Sequence, residues 1–68
     1  MTDTLALEIA MKQRGITKRE LAKSLGLSEM GLYKKIRNDS EFKASEISAI
    51  TSILELPLES RDKIFFAE

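Results

Sequence analysis

An all-α domain is predicted by two observations. The chain contains no Val and shows no sustained period-2 alternation, so strand signals are poor. Gly15, Gly26, the Asn38-Asp39-Ser40 cluster and Pro57 punctuate it at helix-sized intervals. Five helices fit between these marks, and 68 residues make one domain at most, spanning 1–68.

The first helix is expected from about Thr4 to Arg14. Thr2, Asp3 or Thr4 can cap its start, and Gly15 stands where a left-handed C-terminal residue belongs. Leu7, Ala10 and Met11 form one stripe. Leu5 and Ile9 form a second on nearly the opposite side, which needs its own cover. The second helix runs from about Lys18 to Leu25. Thr17 followed by Glu20 reads as a capping box, and Leu21, Ala22 and Leu25 make its apolar stripe. Gly26 ends it, and Ser28 caps a third helix at once. Leu32 and Ile36 turn inward there, and the helix stops near Arg37.

The fourth helix is expected over about Ser45 to Leu54, on the stripe Ile47, Ile50, Ile53 and Leu54, with Phe42 under its first turn. Pro57 breaks the chain. A last short helix, about Leu58 to Phe66, carries Ile64, Phe65 and Phe66. Adjacent residues on a helix point about 100° apart, so one Phe can enter the core while the other cannot easily follow.

A chain this short buries only about 60% of its unfolded surface, and small domains often need a disulfide, a metal or a partner subunit. There is no Cys and no His, which removes disulfides, the commonest metal ligands and the commonest general base. An enzyme is not expected, nor any metal site or cofactor. Absence of Cys fits a cytoplasmic protein. No apolar run approaches the roughly 18 residues of a membrane span, and no basic n-region of a signal peptide opens the chain.

Eleven Lys and Arg balance eleven Asp and Glu, but not evenly along the chain. Residues 12–43 carry nine basic and four acidic groups, a net of +5, between acidic ends. Such polarity either presents one basic face to an anion or is a solvated mixed-charge surface.

The stretch Ile16 to Ile36, ITKRELAKSLGLSEMGLYKKI, combines these signals. Two short capped helices are joined by Gly26-Leu27. Ala22 is small where they cross, Leu27 plugs the corner, and Glu29, Met30, Gly31, Tyr33, Lys34 and Arg37 are left outward. This is a helix-turn-helix with an exposed second helix.

The pattern Gly15-Ile16-Thr17, Glu20-Leu21-Ala22, Leu25-Gly26-Leu27-Ser28 and Leu32-Tyr33 before Ile36 resembles the Cro/CI-type (lambda-repressor-like, XRE) helix-turn-helix family. Residues 32–42 look like those of small phage or prophage regulators. The resemblance implies a five-helix lambda-repressor-like domain that puts its third helix in the major groove of double-stranded DNA. It also implies base-edge candidates Ser28, Glu29, Met30, Tyr33 and Lys34. Phosphate candidates are Thr17, Lys18 and Arg19 at the second helix start, and Arg37, Asn38, Ser40 and Lys43 after the third.

Each of these residues has a plainer reading beside it. Lys34, Lys35 and Arg37 either contact DNA or form a solvated face. Tyr33 either packs or touches DNA. Glu29 either accepts from a cytosine amino group or complements the helix dipole. Family members often carry Gln or Arg where this chain has Glu29 and Met30. Acting as a homodimer on a palindromic operator is the expectation, with Leu5, Ile9, Ile64, Phe65 and Phe66 as interface candidates and the last helix laid over the Leu5–Ile9 stripe. A repressor or Cro-like regulator is the principal reading. The rival is a helix-turn-helix that has lost DNA binding and docks another protein.

Overall fold

The computed structural model describes residues 1–67 and contains five helices and no strand among them. They are α1 (Thr4–Arg14), α2 (Lys18–Leu25), α3 (Glu29–Ile36), α4 (Ala44–Ile53) and α5 (Leu58–Phe65). The expected starts of α1, α2 and α5 hold. The fourth helix begins one residue earlier than expected, because Lys43 takes the extended N-cap conformation (φ −74°, ψ 154°). The helices pack into a body of 27 × 24 × 20 Å, in which α2 lies against α3 and α4, α1 against α5, and α4 against α5.

Local chemistry sets the ends. Of the three possible caps for α1, Asp3 is the one used: its carboxylate accepts from the Ala6 backbone N at 3.0 Å. Gly15 and Gly26 close α1 and α2 at φ 66° and 69°, where a Cβ would be strained. At Thr17 the capping box is complete: Oγ1 accepts from Glu20 N at 3.1 Å, and Glu20 Oε1 accepts from Thr17 N at 3.2 Å. Ser28 Oγ accepts from Gly31 N at 3.0 Å and starts α3 two residues after Gly26.

Leu7, Leu21, Leu32, Ile36, Ile50 and Leu54 are the fully buried large side chains. Fully burying such a side chain contributes about 1.5–3 kcal/mol. Ala22 is buried at the α2–α3 crossing, and Leu27 packs partly against the core, as the turn requires. Phe42 meets Phe65 edge-on, with centroids 5.4 Å apart and planes at 82°.

The last helix differs from expectation in what it covers. Leu5 and Ile9 remain 68% and 48% exposed, so α5 does not lie over that stripe. Asp3 N donates to Ile64 O at 2.6 Å, fixing the end of α5 beside the start of α1. The helix then packs on the flank of α1 that carries Ala6 and Ala10. Ile64 and Phe65 are consequently core residues, 3% and 4% exposed, and are not available as interface residues. Phe66 points out, 56% exposed, so the two rings divide between core and surface.

Candidate nucleic-acid interface

The geometry of the helix-turn-helix follows from its caps and its inner stripe. Leu32 and Ile36 pull one face of α3 into the core. Met30, Tyr33, Lys34 and Arg37, spaced i, i+3, i+4 and i+7, are all exposed and form one outward stripe. Ser28 and Glu29 stand exposed at its N-terminal end, Ser28 Oγ being engaged in its capping bond. Glu29 lies in the first turn, where a carboxylate complements the helix dipole.

Lys18 comes to this stripe from the start of α2. Its Nζ sits 4.9 Å from the centroid of the Tyr33 ring and 2.7 Å from Glu8 Oε2 on α1. The hydrogen bond to Glu8 raises the Lys18 ammonium above its ordinary value. Partial burial opposes that rise, while the charge of Glu8 adds to it. Tyr33 is thus both half covered by Lys18 and open to solvent at its edge. Arg19 is exposed on the next position of α2. Thr17 is exposed too, with its hydroxyl held by Glu20 Oε1 at 3.0 Å.

The segment after α3 is tied down by contacts that the sequence reading missed. Asn38 adopts φ 67°, a conformation Asn tolerates better than most residues. Its side-chain Oδ1 accepts from Thr2 N at 2.8 Å, and its Nδ2 donates to Thr2 O at 3.0 Å. Thr4 Oγ1 donates to Ile36 O at 2.6 Å. The first residues therefore strap the end of α3, and the Asn38 amide serves that strap. Arg37 Nη2 pairs with Asp39 Oδ2 at 2.8 Å on the exposed surface, an association worth about 0–1 kcal/mol and easily exchanged. Ser40 and Lys43 are exposed beyond it.

Lys35 corrects the picture of a continuous basic face. Its Nζ lies 2.6 Å from Glu46 Oε1, and the two side chains are only 11% and 10% exposed. Burial would push the Glu46 carboxyl up. The Lys35 hydrogen bond, the Lys43 backbone N–H at 2.8 Å and the nearby positive charges more than offset this and hold it below its ordinary value. Arg14 is paired as well, 3.6 Å from Glu55. Among the described residues Lys12, Arg19, Lys23, Lys34 and Lys43 have no carboxylate within salt-bridge distance. Also among the described residues, no group of three or more acidic side chains is arranged to hold a metal ion. Among the described residues no helix is long and apolar enough to cross a membrane.

Fold and surface together define a helix-turn-helix DNA-binding domain, its second helix presented on an exposed edge between capped turns. The family model of the Cro/C1-type HTH DNA-binding domain matches residues 6–59, and the chain belongs to that family. No curated protein and no solved structure matches the chain significantly.

Proposed function

We propose that this protein is a sequence-specific transcriptional regulator that binds double-stranded DNA with α3 in the major groove and acts as a repressor by occluding polymerase. The reading is carried by the outward stripe Met30, Tyr33, Lys34 and Arg37, with the exposed cations Arg19 on α2 and Lys43 before α4 outside any ion pair among the described residues. Met30, 65% exposed, has no core duty and suits a thymine methyl; Lys34 suits the acceptor edge of guanine. Ser28, Glu29 and Tyr33 complete the base-reading set, with Glu29 suited to accept from a cytosine amino group. Thr17, Lys18, Arg19, Arg37, Ser40 and Lys43 are the phosphate set; Asn38 leaves that set because its amide fastens Thr2. A homodimer on a palindromic operator supplies the second half-site.

Selection of sites from random duplex DNA tests the reading. A recurrent motif is expected. Lys34→Ala should relax one position of it and cost about 1–3 kcal/mol if the contact is bidentate. Binding without any enriched motif defeats sequence specificity. No binding at all leaves the protein-docking reading, which the Lys18–Glu8 and Lys35–Glu46 pairs favour because they withdraw positive charge from this face.

A further inference from the structure

The geometry points to Glu8 as a positioning residue for DNA binding: from α1 it holds the Lys18 ammonium over the face of Tyr33 and withholds it from DNA phosphate. The inference rests on the DNA-binding reading above. Three elements meet here. Glu8 stands on α1, Lys18 opens α2, and Tyr33 lies mid-way along the outward stripe of α3. Lys18 Nζ is 2.7 Å from Glu8 Oε2 and 4.9 Å from the Tyr33 centroid, so one ammonium joins a carboxylate to an aromatic face.

Two consequences follow from elementary electrostatics. An ammonium lying over a ring restricts that ring, so Tyr33 presents its edge in one orientation rather than several. An ammonium already paired with a carboxylate must give up that partner before it can neutralise a phosphate, so its share of counterion release is reduced. The side chains of Lys18 and Glu8 are 31% and 41% exposed, enough for water and salt to compete with the pair. Exchange of partners is therefore accessible, and the pair acts as a built-in competitor for DNA. Among the described residues Glu8 caps no helix and makes no other ion pair.

Glu8→Gln tests this, because it keeps size and an acceptor oxygen while removing the charge. Tyr33 is the single Tyr of a chain without Trp, so its ring signals are unambiguous. In the free full-length protein, the Lys18 methylene next to the ammonium should show NMR shielding by the Tyr33 ring, reduced in Glu8→Gln. On non-specific duplex DNA at about 0.1 M salt, Glu8→Gln should bind roughly 3- to 10-fold more tightly, with a salt slope steeper by about 0.9. Glu55→Gln removes the same unit of charge from the Arg14 pair, which includes neither Lys18 nor Tyr33, and should change affinity less than twofold. Adding Lys18→Ala to Glu8→Gln should abolish the gain.

Equal affinity and slope in parent and Glu8→Gln overturn the inference while leaving DNA binding intact. So does an equal gain in Glu55→Gln, which would mean net charge alone is at work, or an absence of ring shielding in the parent. Failure of the parent and Glu8→Gln to bind any duplex DNA overturns the proposed function itself, and this inference with it.

Discussion

Lys35 and Glu46 show how one side chain can be misread from its neighbours in sequence. Lys35 follows Lys34 in a basic run, yet it lies three residues after Leu32, on the inner flank of α3. Glu46 sits at the third position of α4, where its carboxylate reaches back to Lys43 N at 2.8 Å and across to Lys35 at 2.6 Å. Removing one partner of a buried pair strands the other charge, so Glu46→Ala should destabilise the fold by about 3 kcal/mol. Glu46→Gln, which keeps an acceptor, should cost less. The pH dependence has a definite sign. The folded carboxyl is held below its ordinary value, so its contribution is complete above the unfolded carboxylate range and is lost as pH falls through the folded value. Urea unfolding of parent and Glu46→Gln over a pH series should show a smaller acid loss in the variant. Parallel curves would mean that the pair does not govern acid stability.

At the scale of helices, most of the design was legible because it is local. Thr17-x-x-Glu20, Ser28, Gly15 and Gly26 act within a turn of themselves, and each does in space what its spacing implies. The outward stripe of α3 was legible for the same reason, since Leu32 and Ile36 fix which face is inside. Contacts between elements distant in sequence left no periodic trace. Thr2 and Asn38 are 36 residues apart, and neither belongs to an apolar pattern. The Leu5–Ile9 stripe was visible, but that it stays uncovered was not, because the placement of α5 depends on how Asp3 anchors Ile64.

Local rules also give a prediction at this scale. Gly31 lies in the first turns of α3 at an ordinary negative φ, where Gly costs roughly 0.5–1 kcal/mol relative to Ala. A Cβ there would stand 3.1 Å from Ser28 Oγ. The corresponding place in α2 is Glu20, which bears a Cβ and keeps its bond from N to Thr17 Oγ1 at 3.1 Å, so a hydroxyl cap can accommodate one. Gly31→Ala should therefore raise the unfolding free energy by about 0.5–1 kcal/mol in chemical denaturation. A loss of stability instead would show that the Ser28 cap cannot move. DNA affinity, measured separately, reports whether the bare backbone at Gly31 is needed at the groove.

For the whole molecule, the two C-terminal rings divide between core and surface. Phe65 is 4% exposed, packed edge-on against Phe42 and within the core, whereas Phe66 is 56% exposed with the Arg61 guanidinium 5.9 Å from its ring. Two open surface hollows flank Phe66, one of about 210 Å³ beside Met1, Thr2 and Asn38 and one of about 530 Å³ along α4, both lined in part by Phe42 and Ile47. A two-fold arrangement in which Phe66 of each copy packs against the other would give the homodimer that the proposed palindromic operator calls for. Truncating a buried Phe costs about 3–5 kcal/mol, a large share of the stability of so small a domain. Phe65→Ala should therefore be largely unfolded, and the milder Phe65→Leu should unfold at lower denaturant while keeping the oligomeric state of the parent. Phe66→Ala should leave monomer unfolding within about 0.5 kcal/mol of the parent, because an exposed ring has little burial to lose. It should instead shift sedimentation toward the monomer and weaken binding to a palindromic site more than to a single half-site. If the parent sediments as a monomer at every concentration and Phe66→Ala binds both sites as the parent does, the dimer through this face is wrong and Phe66 serves the monomer alone.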